Sequence, residues 1–259
     1  MKLAFIGAGN LATNLAISFY KKGITVSQIF SRTLSSAKML AEKVDAGFIN
    51  DILHLNEDAD MYFICVSDDA VESVLAQVTL PKSIIVHTAG SISMEVLSKV
   101  TQNYGVFYPL QTFSKSRVVD LADVPLCLEA ANEATLKVLK ELAKIISDRV
   151  VLLNSEQRLV LHIAAVFACN FTNHLYAISE QLLYEYGMDF EFLYPLIWET
   201  TLKIGKMSPA EGQTGPAIRR DMKIVTKHLK ALSNHPSWKC IYENLTNSII
   251  NSNKGHDKH

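Results

Sequence analysis

The chain of 259 residues is 49% hydrophobic and 20% charged, which gives room for one large domain or two smaller ones around a sizeable core. A net charge of −1, with no basic block beyond a weak Lys/His tail, excludes nucleic acid or an anionic membrane surface as the main partner. Four cysteines (Cys65, Cys127, Cys169, Cys240) lie far apart with no CxxC pair, which excludes a disulfide frame or zinc knuckle and predicts reduced thiols in a cytoplasmic protein. The N-terminal apolar run is too short for a signal peptide, no apolar stretch reads as transmembrane, and residues 251–259 form a polar tail expected to fray.

Residues 3–6 are a short apolar run of the kind that makes a buried parallel strand. The run breaks at Gly7, and a helical pattern starts at Asn10 and ends near Lys21-Lys22-Gly23. Between them lies Gly7-Ala8-Gly9-Asn10-Leu11-Ala12, which fits the G-x-G-x-x-G/A pattern of a dinucleotide site. Gly7 permits the tight turn, Gly9 lets the backbone approach a pyrophosphate, and Ala12 allows close helix–strand packing. The helix N-terminus then presents free N–H groups and a partial positive charge to that pyrophosphate.

A second strand is expected over 24–30, a helix over 34–44, and a short third strand over 47–49. Further strands are expected over 61–66, 83–87, 104–107, 126–129 and 150–153, with helices over 68–78 and 133–146. This alternation predicts an α/β fold, a doubly wound and mainly parallel sheet. After residue 153 the strand signals stop. A long helix over about 155–186, capped at Asn154 or Ser155, leads into helices near 190–206, 221–232 and 237–251. The expected division is a dinucleotide-binding domain over 1–153 and an all-helical domain over 154–259.

The end of the second strand carries Ser31-Arg32-Thr33 and no acid. An Asp or Glu there would bind the ribose 2′-OH of NAD, whereas an arginine with two hydroxyls suits the 2′-phosphate of NADP. Arg32 as a plain surface charge is the alternative. Ligands sit beyond the carboxyl ends of such strands, so the loops Val66-Ser67-Asp68-Asp69 and His87-Thr88-Ala89-Gly90 are also expected to touch the cofactor.

Three groups could line its nicotinamide end. His87 closes a strand at the mouth of the sheet, either for acid–base work or to shape its loop. On the long helix, His162, Val166, Asn170 and His174 recur at i, i+4, i+8 and i+12, a polar stripe among apolar neighbours that needs partners or a wet cleft. No metal is expected there, because His162 and His174 are three turns apart, about 18 Å, with no acid at ligand spacing. Finally, Thr214-Gly215-Pro216 with Arg219 and Asp221 forms a polar corner. Arg219 could hold a substrate carboxylate or phosphate, or pair with Asp221 to brace the turn.

These stretches, with Phe107-Tyr108-Pro109-Leu110-Gln111-Thr112-Phe113, resemble the Rossmann-like NADP oxidoreductases that carry an uncharacterised helical C-terminal domain. The chain departs from that pattern at Tyr108, where His is common, and at Arg220, where Gly is usual. A more distant likeness runs to pyrroline-5-carboxylate reductase, deazaflavin-dependent NADP reductases and β-hydroxyacid dehydrogenases. The last use a Lys and an Asn on the first C-terminal helix. Here the helix offers His162 and Asn170 with no matching Lys. The resemblance implies a homodimer formed through the helical domain.

The reading is an NADP(H)-dependent oxidoreductase acting on a small imine or carbonyl in an interdomain cleft. His162 or His87 would donate the proton, Asn170 would orient the substrate and Arg219 would anchor it. The alternative is a non-catalytic NADP(H)-binding module that acts through a protein partner.

Overall fold

A computed structural model describes residues 1–80 and 82–252. The strands are β1 (Lys2–Ile6), β2 (Thr25–Phe30), β3 (Gly47–Ile49), β4 (Met61–Ile64), β5 (Ile84–His87), β6 (Tyr104–Pro109), β7 (Leu126–Ala130) and β8 (Val150–Leu152). They form one eight-stranded sheet in the order β3-β2-β1-β4-β5-β6-β7-β8. The chain order reverses beside β1, which pairs in parallel with both β2 and β4. That reversal opens a crevice at the carboxyl end of β1, where a doubly wound sheet binds its ligand.

The helices of this part are α1 (Asn10–Lys21), α2 (Leu34–Val44), α3 (Val71–Leu75) and α4 (Glu133–Ile146). Period-two alternation sends neighbouring side chains of β1 to opposite faces. Leu3 and Phe5 join Phe19, Leu40, Phe63, Phe107 and Leu139 in one buried cluster, while Ala4 and Ile6 join Tyr62, Ile64, Val71 and Ile85 in the other. Phe5 stacks on Phe63 at 4.9 Å between ring centroids, and Phe63 meets Phe107 edge-on at 5.4 Å. Each such side chain, taken fully out of water, contributes about 1.5–3 kcal/mol. The first strand is therefore held rigidly from both faces, and the turn that follows it inherits that rigidity.

The sheet is mainly parallel, as expected, and only β6 and β7 run antiparallel. A parallel return needs a long crossover, usually helical, and the segment between these strands carries no helix. The helix expected over 68–78 is a 3-10 turn, Asp68–Ala70, followed by the short α3.

The long helix starts with α5 (Ser155–Ala165), passes through a π-helical segment (Val166–Phe171) and continues as α6 (Thr172–Glu185). Asn154 caps it in a reciprocal box with Gln157. The wider π turns break the i+4 spacing, so the polar stripe expected from His162 to His174 does not keep an α-helical register. This 31-residue helix, Ser155–Glu185, is also long and apolar enough to cross a membrane by length and composition. That corrects the expectation that no stretch reaches this length. Interspersed amides and histidines hide it from a search for unbroken apolar runs. Then come α7 (Tyr194–Ile204), α8 (Met222–Ala231) and α9 (Pro236–Ser252). By packing, the chain divides into Met1–Phe171 and Thr172–His259. The tail expected to fray falls on α9 up to Ser252; its residues 253–259 lie outside the described residues.

Candidate cofactor cleft and active site

Gly7 ends β1 with φ +119°. Its N–H donates to the Phe30 carbonyl at 2.8 Å, and the Cys65 N–H donates to the Ile6 carbonyl at 2.8 Å. The turn is thus pinned between β2 and β4. Gly9 is the N-cap of α1 at φ −78° and makes no side-chain cap, so the first N–H groups of the helix lack intrahelical acceptors. A Cβ built on Gly9 would meet nothing within 4 Å. Open space in front of uncapped helix N–H groups is the cradle a pyrophosphate requires.

A cleft of about 410 Å³ lies at this end of the sheet, and Gly7, Ala8, Ser31, Arg32, Val66 and Ser67 all line it. Thr88, Ala89 and Gly90, also expected to touch the cofactor, do not line it. Thr33 stands just outside the lining as the N-cap position of α2, its N–H bonded to Ser31 Oγ at 3.4 Å. Asn10 and Leu11 do not line the cleft. Asn10 donates from Nδ2 to the Phe113 carbonyl at 3.0 Å, and Leu11 packs against the core. The fully buried Asn14 adds two further ties, to the Ser114 carbonyl at 3.1 Å and from the Val119 N–H at 2.8 Å. Together they fasten the segment after β6 onto α1.

Sequence reasoning missed Asn50 and Asp51, and Ser73 and Gln77, which also line the cleft. The first pair follows β3, where the rule about carboxyl ends of strands could have found them. Ser73 and Gln77 carry no comparable signal. Asp51 is an acid in the cleft, but it accepts from the Leu53 N–H at 3.0 Å and faces His54 at 3.5 Å.

The loop after β5 is held from below. Thr88 Oγ1 donates to the Ile64 carbonyl at 3.4 Å, and the Ala89 N–H donates to His87 Nδ1 at 3.2 Å. Ser91 Oγ donates to Asp68, which joins this loop to the one after β4. His87 itself is fully buried. Burial, then the nearby positive charge of Arg158, pushes its pKa down to about 4, against opposing pulls from the Ser93 main chain and Asp68. A buried neutral imidazole that braces its own loop is a poor proton donor at pH 7, so the structure favours the loop-shaping reading of His87. In the unfolded chain this group titrates near 6.5. Its contribution is therefore intact above pH 6.5 and is lost as pH falls towards 4, by about 3 kcal/mol. Urea unfolding at about pH 7 and about pH 5 should show about 2 kcal/mol of this loss in the wild type and much less of it in His87→Gln.

His162, on α5, meets Gly90 and Tyr108. Its Nδ1 lies 3.1 Å from Tyr108 Oη, and the rings meet edge-on at 6.2 Å. A Cβ on Gly90 would come within 2.7 Å of the His162 ring, so only glycine allows this approach. Tyr108 is buried, and burial chiefly raises its pKa, with Arg158 opposing the rise. It holds a proton at neutral pH and can share it with His162. Tyr108 was visible in the sequence only as a departure from a family pattern, without a role. Cys65, beneath Gly7, is pushed up to about 12 by burial and is an inert thiol.

Asn170 is exposed within the π-helical segment. Arg219 is exposed in the turn before α8, and Asp221 caps that helix by accepting from the Ile224 N–H at 3.2 Å. Arg220 adopts φ +53°, the left-handed conformation that explains why glycine is usual there.

A doubly wound sheet with this cleft defines a Rossmann-type dinucleotide enzyme. Residues 2–91 match the family described as NADP oxidoreductase, coenzyme F420-dependent, and residues 124–249 match a domain of unknown function, DUF2520. The crystal structure of the putative NADP oxidoreductase BF3122 from Bacteroides fragilis is 42% identical, with a TM-score of 0.91, over 96% of this chain and 98% of that one. Protein TM1727 from Thermotoga maritima is 22% identical with a TM-score of 0.80, over 95% of this chain and 97% of that one. An imine reductase from Myxococcus stipitatus, in complex with NADP+, shares the fold at 15% identity and a TM-score of 0.70, over 98% of this chain and 95% of that one. No curated protein matches the chain. The chain belongs to the family of NADP oxidoreductases that join this N-terminal domain to the DUF2520 domain, and it is an NADP-dependent oxidoreductase.

Proposed function

We propose that the enzyme transfers a hydride to or from a small imine or carbonyl compound, with His162 handling the proton. The observation that carries this is the His162 ring, bonded to Tyr108 and lying on Gly90 of the loop that leaves the carboxyl end of β5. Gly7, the N-terminus of α1 and Arg32 would hold NADP(H), which supplies the hydride when bound. On reduction the substrate carbon gains that hydride and its nitrogen or oxygen gains a proton. Tyr108 occupies Nδ1 of His162, which leaves Nε2 as the ring nitrogen to give the proton. Tyr108 also fixes the ring's direction, so the donor is aimed before substrate arrives.

His162→Ala should lower turnover by about a hundredfold to ten-thousandfold while NADPH affinity stays near that of the wild type. The assay is NADPH oxidation against a panel of cyclic imines and ketones, with fluorescence titration for affinity. A fully active variant removes His162 from the mechanism, and a wild type inert towards the whole panel counts against the substrate class.

A homodimer through the helical half is part of this reading. α6 and α7 contain no buried residue, and Leu196, Trp198 and Leu202 are each more than 60% exposed. Apolar helix faces of that kind are stable in water once a second copy covers them. Sedimentation equilibrium should therefore give twice the monomer mass, and a monomer at micromolar concentration would refute it.

A further inference from the structure

Arg158 is 1% exposed, the largest of the fully buried side chains. It sits one turn before His162, so the two share a face of α5. One terminal nitrogen of its guanidinium pairs with Glu129 on β7. The other donates to the Ile92 carbonyl and to Ser155 Oγ, the latter at 3.3 Å. Ser155 is tied into the same group, because its N–H and Oγ donate to Glu129 at 2.9 and 2.8 Å. Two residues before Ile92 in the same loop, Gly90 lies against the His162 ring. The helix face and the loop therefore meet at two points, Arg158 on Ile92 and His162 on Gly90. The guanidinium is also close enough to act on the ionisation of His87, Tyr108 and Cys127.

We propose that Arg158 is a positioning residue for His162: its guanidinium joins the first turns of α5 to Glu129 and to the Ile92 carbonyl, and so sets where the His162 ring sits against Gly90 and Tyr108. The inference rests on the proton-donor reading of His162 for its consequence in turnover, but not for the geometry itself. A buried ion pair alone would tolerate any cation of suitable length. A clamp needs one planar group that serves two directions, which arginine supplies and the compact ammonium of lysine does not.

Arg158→Lys separates the two roles, since it keeps a charge for Glu129 and gives up the second arm to Ile92. The first readout is the NMR contact between Gly90 Hα and the His162 ring protons, compared in wild type, Arg158→Lys and Arg158→Met. The clamp predicts that this cross-peak weakens severely in both variants, while NADPH affinity stays within about threefold of wild type because Arg158 does not line the cofactor cleft. Where the wild type turns over a cyclic imine, kcat in Arg158→Lys should fall by about a hundredfold at little changed KM for NADPH, the cost of a misplacement near 1 Å. An Arg158→Lys protein with the wild-type cross-peak would overturn the proposal and reduce Arg158 to a core ion pair. Should Arg158→Met fail to fold, Arg158→Lys decides by itself. If His162→Ala is fully active, the kcat arm goes with the proton-donor reading and the NMR arm still decides the geometry.

Discussion

Gly7→Ala should abolish NADPH binding and strip the N-terminal unit of much of its stability. A Cβ at this position would stand 2.2 Å from the Cys65 carbonyl oxygen and 2.7 Å from its carbon, at a φ of +119°. Both neighbours are backbone, so no flexible side chain can yield. The hydrogen bonds from Gly7 to Phe30 and from Cys65 to Ile6 would stretch together. Strained backbone of this kind costs about 1–3 kcal/mol before any displacement of β4 is counted. We therefore expect a loss of about 3 kcal/mol or more, a large share of a typical domain's 5–15 kcal/mol. Gly9→Ala is the control. It stands at φ −78° with nothing near its Cβ, so its unfolding midpoint should match wild type while the added methyl enters the pyrophosphate space. Denaturant titration and NADPH fluorescence, run on both variants, separate fold from cofactor. A Gly7→Ala protein of wild-type stability and affinity would refute this account of the turn.

Arg32→Ala should weaken NADPH binding by about tenfold to a hundredfold and leave NADH binding almost unchanged. The guanidinium lines the cleft beside Ser31, at the end of β2, where the adenosine ribose of a dinucleotide lies. A charge-assisted bond to a phosphate is worth about 1.5–3 kcal/mol, and NADH has no 2′-phosphate with which to form it. Asp51 shares the cleft, but its carboxylate is engaged in capping the turn after it. Side-by-side titration of wild type and variant with both nucleotides reads the effect. Equal losses for NADPH and NADH would mean that Arg32 shapes the cleft and does not read the phosphate.

The cofactor cleft was legible because its determinants are local. Glycine at Gly7 and Gly9, the strand before them and the helix after them all act within a dozen residues. The end of β2 follows directly from where the strand stops, which is why Ser31 and Arg32 could be placed. His87 was found with two roles open, acid–base work or shaping its loop, because burial is a property of the whole sheet and not of its own strand. The long helix shows the same limit. Its apolar composition predicts a helix, but side-chain spacing does not reveal where Val166–Phe171 widens into a π segment.

The sequence alone determined the sheet-and-helix alternation, the start of the helical half and the phosphate-binding turn. Backbone conformation, side-chain periodicity and capping are settled by near neighbours. Only the tertiary structure decided that β6 and β7 run antiparallel, that Tyr108 meets His162 across 54 residues, and that Arg158 pairs with Glu129 across 29. A buried charge or a shared proton is stable only when its partner arrives from a distant part of the chain. No local preference of either residue announces which partner that will be.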